Sequence, residues 1–187
     1  MMTGEERLRQ EKRRLRREIR AEAVALPAEY RAEASRRMAE QVRGMEAYRR
    51  ARVVMMFMSL PEEPDTRLLI ADALDAGKTV LLPRCVSPER MIALPFAGWD
   101  QFEAGYLNIQ EPPMPEERRA VPAPELILVP CVTASADGRR LGHGAGYYDR
   151  FLAGQSAETV CLCFRRLMRE KIPCGPLDRR MGRVISD

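Results

Sequence analysis

The sequence predicts an open, mostly parallel α/β sheet with helices on both faces, preceded by a basic N-terminal helix. Three observations carry that expectation. Short β-branched and apolar runs alternate with segments of helical period. The connection between two such runs, ARVVMMFMS (51–59) and KTVLLPRCV (78–86), contains a helix, which makes the runs parallel neighbours in a right-handed crossover. A third run, LILVPCV (126–132), leads into the glycine-rich stretch Arg139-Arg140-Leu141-Gly142-His143-Gly144-Ala145-Gly146-Tyr147-Tyr148-Asp149-Arg150, and a helix follows. A glycine-rich turn between strand and helix is where phosphate groups tend to sit.

Each element has its own signal. Residues 4–25 are helical in period, with Leu8, Leu15, Ile19 and Val24 on one stripe and charge elsewhere. Pro27 opens a second helix running to about Ala47. The loop at 60–64 carries two prolines and the Glu62-Glu63 pair. Asp65-Thr66 caps a helix bearing Leu68, Leu69, Ile70, Ala73 and Leu74, which stops at Gly77. MIALPF (91–96) reads as an edge strand, since Pro95 cannot donate to a ladder. From Gly98 to Pro124 a long ordered excursion is expected, packed down through Trp99, Phe102, Tyr106 and Ile109. ELILVPCV (125–132) is the central strand, residues 147–153 begin a helix, TVCLCF (159–164) is a strand, and RVI (183–185) a short last one. One domain over residues 1–187 is the default at this length.

Composition removes several function classes. No apolar run approaches the roughly 18 residues of a membrane span, and the charged N-terminus has no apolar signal region. The five cysteines are odd in number and lack a CxxC pair, as expected of reduced thiols in a cytoplasmic protein. A single histidine excludes a His-rich zinc site. Net charge is +4, yet residues 7–20 hold eight Arg or Lys against two Glu. Nucleic acid and a phosphate-bearing small molecule both suit such a segment. It also reads as a solvated helix face. Lys12 and Arg16 lie four apart, so they project together and can grip one phosphate.

The stretch 139–150 is neither a Walker loop, lacking the Gly-Lys-Ser/Thr ending, nor a dinucleotide fingerprint. Its three alternating glycines are free to take positive φ and to let a ligand approach the backbone. His143 is either a surface side chain or a donor to phosphate or carboxylate. Asp149 either caps a helix or holds Mg²⁺ beside phosphates. Tyr147 and Tyr148 are core aromatics or a stacking surface. Glu62, Glu63 and Asp65 follow the C-terminal end of a strand, where open parallel sheets bind ligands; a carboxylate there can accept N–H donors of a heterocycle, or belong to a charged loop.

Taken together, these stretches resemble the 5-formyltetrahydrofolate cyclo-ligase (5,10-methenyltetrahydrofolate synthetase) family. RLGHGAGYYDRFL (140–152) is similar to its RLG-x-G-x-GYYD signature. KRRLR (12–16), SLPEEPDT (59–66), GKTVLLPR (77–84), IQEP (109–112) and LILVP (126–130) match secondary marks. The resemblance implies ATP- and Mg²⁺-dependent closure of 5-formyltetrahydrofolate to 5,10-methenyltetrahydrofolate by a monomer that needs neither nucleic acid nor membrane. It places Lys12, Arg16 and the loop Arg140, Leu141, Gly142, His143, Gly144, Ala145, Gly146, Tyr147 and Tyr148 on ATP. Met58, Glu63 and residues 143–147 face the folate. Arg140, His143 and Tyr148 would be catalytic, and Asp149 and Asp178 magnesium ligands.

The chain also departs from the family pattern. Ala134-Ser135 replace a Phe-Asp, Arg166-Leu167 a Glu-Gln, and Gly182 an acidic residue. These changes leave a second expectation open, a divergent paralogue that binds nucleotide and a folate-like or other formylated ligand with little turnover. An RNA-binding domain built on the Arg-rich helix is a third, without the aromatic stacking surfaces typical of such modules.

Overall fold

The computed structural model describes residues 1–96, 98–100, 102–105, 109–115 and 120–187. The first helix, α1 (Gly4–Ala25), starts at a capping box: Glu6 N–H donates to the Thr3 hydroxyl at 3.1 Å, and Thr3 N–H to the Glu6 carboxylate at 2.7 Å. Ile19 and Ala23 bury its apolar stripe, while Val24, expected on that stripe, is exposed. Helix α2 (Ala28–Gly44) ends earlier than expected, and a separate α3 (Glu46–Arg50) follows. Gly44 holds the last turn weakly, and Met45 leaves helical geometry (φ −69°, ψ 135°) to become buried.

Strand β1 (Val53–Met55) is shorter than its apolar run. Met56 N–H makes a last bond to the Leu81 carbonyl at 2.9 Å, and residues 57–59 stay buried beyond the strand, with Met58 reaching the cleft described below. Helix α4 (Arg67–Asp75) is capped by Asp65, which accepts from Arg67 N–H at 3.0 Å. Thr66 does not share that role; its hydroxyl turns inward and donates to the Phe57 carbonyl. Strand β2 (Thr79–Cys85) pairs in parallel with β1 and antiparallel with the edge strand β3 (Met91–Pro95).

The excursion contains a hairpin of β4 (Glu103–Ala104) and β5 (Gln110–Glu111) that the sequence pattern did not reveal. Phe96, Trp99 and Phe102 pack together, with Phe96 5.1 Å from Trp99 and 5.2 Å from Phe102 between ring centroids. Ile109 packs against the core; Tyr106 lies outside the described residues. Strand β6 (Leu126–Val129) is buried along its length between β1 and β9 (Glu158–Leu162), as a both-faces-covered parallel strand should be. Two more short strands, β7 (Thr133–Ala134) and β8 (Arg140–Leu141), form a second hairpin, and α5 (Tyr147–Leu152) follows it. The glycine-rich stretch therefore leaves a hairpin, not the central strand directly. Strand β10 (Arg183–Ile185) closes the sheet in the order β10-β9-β6-β1-β2-β3, parallel except at β3. All five cysteines are free thiols, three of them buried. Among the described residues no helix is long and apolar enough to cross a membrane.

Candidate active site

Parallel strands leave their C-terminal ends along one edge, and the loops that follow them build a cleft of about 1200 Å³ there. Every expected site residue lines it: Lys12 and Arg16 from α1, Met58 and Glu63 after β1, the run from Arg140 to Asp149, and Asp178 near the C-terminus. Glu62 and Asp65 do not.

The glycine loop is shaped by two positive φ angles, 113° at Gly144 and 72° at Gly146. Gly142 serves differently: a Cβ there would come 2.8 Å from an Arg140 guanidinium nitrogen. Its carbonyl accepts from Arg16 Nε at 2.7 Å, and the same guanidinium leaves only 3.3 Å to a Cβ at Gly144. Burial, then the neighbouring Arg20, lowers the Arg16 pKa, a sign of uncompensated positive charge facing the loop. Arg16 stays a cation nonetheless, because guanidinium does not deprotonate in proteins. Since α5 has only six residues, little helix dipole reaches the loop, and its cationic character comes from side chains.

His143 is not an incidental surface group. Its Nε2 lies 2.7 Å from Glu63 Oε1, and Glu63 Oε2 accepts from Leu60 N–H at 2.9 Å. Arg20 reaches the other side, donating to the His143 carbonyl at 3.3 Å. A chain of groups thus runs from α1 through the loop to a carboxylate whose side chain is only 7% exposed.

Arg140 is 3% exposed in its side chain and bonds Asp149 Oδ1 at 2.8 Å. Its Nε, and the Tyr148 hydroxyl beside it, are buried without a hydrogen-bond partner. Burial, followed by the Glu63 charge, pushes the Tyr148 phenol far above its usual pKa, so it is a neutral donor. The guanidinium carbon lies 6.0 Å from the Tyr148 ring centroid. Unsatisfied polar atoms in a lined cleft mark places where a ligand completes the bonding.

The two expected metal ligands each bond a cationic side chain, Asp149 to Arg140 and Asp178 to Lys12. Asp149 also accepts from Arg179 N–H at 3.0 Å, and Asp178 accepts from Lys12 Nζ at 2.7 Å and 2.5 Å and from Gly175 N–H at 2.5 Å. Among the described residues no group of three or more His, Cys, Asp or Glu could hold a metal alone. Two carboxylates beside a cation-lined glycine loop have the hard oxygen donors that suit Mg²⁺, an ion that usually keeps several waters.

Sequence reading missed other parts of this site. Arg20 is one turn beyond Arg16 on the same face, a spacing that could have found it. Arg150 was expected to add charge beside the loop, but it does more. It donates to the Glu89 carbonyl at 2.6 Å and the Ala145 carbonyl at 2.8 Å, and Tyr147 Oη donates to the Ser87 carbonyl at 2.9 Å. Together they tie the loop to the β2–β3 turn. Cys85 and Glu111 enter the cleft from β2 and β5.

The departures from the family pattern lie off the cleft. Ser135 Oγ donates to Asp137 at 2.6 Å, and Ala134 is buried in β7. Arg166 stacks 4.3 Å from the Tyr30 ring centroid, and the Leu167 carbonyl accepts from the Thr133 hydroxyl at 2.6 Å. Gly182 N–H donates to Thr159 Oγ1 at 2.9 Å.

Comparison with known proteins gives one answer. The 5-formyltetrahydrofolate cyclo-ligase family model matches residues 8–187. The mouse 5-formyltetrahydrofolate cyclo-ligase is 29% identical, the alignment covering 94% of this chain and 93% of that protein. The Mycolicibacterium smegmatis enzyme of the same name is 31% identical over 72% of this chain and 73% of its own. Among solved structures, the Aquifex aeolicus 5,10-methenyltetrahydrofolate synthetase superposes with a TM-score of 0.80, covering 92% of this chain and 88% of that one at 23% identity, which shows the shared fold. The Mycoplasma pneumoniae synthetase gives 0.72 at 16% identity, covering 94% and 98%. The chain belongs to an enzyme family, the 5-formyltetrahydrofolate cyclo-ligases.

Proposed function

We propose that the protein converts 5-formyltetrahydrofolate to 5,10-methenyltetrahydrofolate, consuming ATP and releasing ADP and phosphate. The carrying observation is the Glu63–His143 contact at 2.7 Å, which joins a heterocycle-reading carboxylate to the glycine loop within one cleft. The formyl oxygen attacks the γ-phosphorus and ADP leaves. The formyl carbon is then electrophilic, N10 of the same folate bonds to it, the N10 proton departs, and phosphate leaves to give the methenyl bridge. Little covalent work falls to the protein, whose task is positioning and charge neutralisation.

Lys12, Arg16 and Arg140 bind the phosphates, and the backbone from Leu141 to Gly146 wraps them. Arg140, already desolvated, offers its unpartnered Nε to the charge that builds on the transferred group. Tyr148 offers a neutral hydroxyl at the same place. Met58 and Glu63 hold the pterin, Glu63 accepting its N–H donors, with His143 releasing that carboxylate as substrate enters. Mg²⁺, when bound, neutralises phosphate charge, and Asp149 and Asp178 would hold it. A monomer in the cytoplasm fits this reading, since one chain supplies every group named. The paralogue reading draws no support, because none of the departures lines the cleft. The Arg-rich helix, proposed otherwise for RNA, turns Lys12 and Arg16 into the cleft.

The test is direct: purified protein, 5-formyltetrahydrofolate, ATP and Mg²⁺, followed by the ultraviolet absorbance of the methenyl product. ATP-dependent product that is lost in Asp149→Ala is expected. A flat trace from folded, ATP-binding protein would overturn the reading.

A further inference from the structure

The cleft holds one buried carboxylate that the reading above leaves unused. Glu111, on β5, is 5% exposed and lines the cleft. Its Oε1 accepts from Cys85 N–H at 3.3 Å, and among the described residues it has no cationic partner. The Cys85 thiol bonds it too, and a buried carboxylate held only by one backbone N–H and a weak thiol donor is undercompensated.

The position is built. A Cβ at Gly105 would lie 2.1 Å from the Glu111 carboxyl carbon, so only glycine seats that carboxyl against the hairpin. Gly105 N–H donates to the Ile109 carbonyl at 2.8 Å and closes the same turn. Glu63, Cys85 and Tyr148 line the same cleft. Burial and then Glu111 push the Cys85 thiol up to about 11, and burial and then Glu63 push the Tyr148 phenol up. The Tyr148 hydroxyl is unpartnered.

We propose that Glu111 is a second specificity-determining residue, which accepts an N–H bond from the reduced pterin of the substrate in addition to those accepted by Glu63. This rests on the folate reading given above and deepens it. Two acceptor carboxylates in one cleft suit a ring with N–H donors on more than one edge. A tetrahydropterin has them, at its 2-amino group and N3 and again at N8. The adenine of ATP has one amino group and otherwise ring acceptors, which two carboxylates would repel. A site that hydrogen-bonds its ligand rejects analogues lacking the donor strongly, because its own buried groups are then left unpaired.

Calorimetric titration of 5-formyltetrahydrofolate, and separately of ATP, into wild type, Glu111→Gln and Gly105→Ala tests this. Glutamine keeps the shape and still accepts from Cys85 N–H, so a purely structural Glu111 would be unaffected. Both variants are expected to weaken folate binding by about tenfold or more, the scale of one buried charge-assisted hydrogen bond. ATP affinity stays within about twofold and the melting temperature of Glu111→Gln is unchanged. Unchanged folate affinity in Glu111→Gln overturns the proposal, as does a loss confined to ATP. Wild type that binds folate but forms no product defeats the cyclo-ligase reading alone, and the affinity ratio still decides on Glu111. Wild type that binds no folate defeats both.

Discussion

The two ends of the sheet carry cavities of opposite character. At the N-terminal ends of the strands, about 520 Å³ is bounded by Met45, Ala51, Glu125, Glu158 and Arg183. Its Glu125 is spent on the fold: the carboxylate accepts the N–H groups of both Arg52 and Val53, tying β1 to β6. At the C-terminal ends the larger cleft does the reverse. Arg140 Nε and Tyr148 Oη are buried without partners there, whereas the one such atom near the other end among the described residues, Tyr48 Oη, does not line the smaller cavity, its ring lying beneath Lys78. Side-chain bonds in the larger cleft span 126 and 166 residues of sequence, from Arg16 Nε to the Gly142 carbonyl and from Lys12 to Asp178. One end spends its hydrogen bonds on stability, and the other keeps them available for a ligand.

The comparison breaks most easily at Arg140. Arg140→Met removes the one guanidinium that is buried, paired with Asp149 and still short of a partner. It is expected to lower kcat/KM by about a thousandfold, the upper range for losing one preorganised donor. It also abolishes the rise in melting temperature on adding ATP. Losing a buried pair member destabilises as well, so the ATP shift is measured against the variant's own baseline. A variant that melts early yet keeps its turnover would place Arg140 with the structural groups of the opposite end.

A smaller effect sharpens the boundary between holding the fold and holding a ligand. Lys12 and Asp178 form a part-buried pair, with side chains 15% and 22% exposed, and each is proposed to serve a different partner once substrate binds. Lys12→Met is expected to raise the KM for ATP by about tenfold, and Asp178→Asn to raise the Mg²⁺ concentration needed for half-maximal turnover by a similar factor. The double variant should be worse than either single one, because two separate ligand contacts are gone. If the double variant is no worse than the worse single, the pair merely fastens α1 to residues 174–179.

How much of this could be read from the chain depended on distance along it. The parallel pairing of β1 with β2 followed from two apolar runs and the helix between them, and β6 was legible as a buried central strand from its own apolar run, which are local signals. The hairpins β4–β5 and β7–β8 have strands of two residues, too short for any period to register. The glycine loop declared itself, and the Lys12–Arg16 spacing placed both on one face. The His143–Glu63 contact spans 80 residues and depends on how the loops meet above the sheet, so no spacing could yield it. Glu111 is hidden for the same reason: its run was visible, but its burial against Gly105 and Cys85 is set by a hairpin that folds back onto β2.

The least effect on activity is expected at the opposite end of the sheet, where the effect on pH-dependent stability is clear in sign. Hydrogen bonds from Arg52 N–H and Val53 N–H hold the Glu125 carboxyl below the usual carboxylate range. A depressed folded-state pKa means that the unfolded chain binds the proton more readily. The stabilisation is therefore fully present above the unfolded value of about 4.3, and it is lost as pH falls through the lowered folded value. Glu125→Gln should melt below wild type at neutral pH, and the two melting curves should converge in acid. Its kcat/KM should stay within about twofold, as for surface changes away from a site. Convergence without loss of activity would keep the two ends separate. A fall in turnover would show that the bonds tying β1 to β6 at one end help set the loop carrying Glu63 at the other.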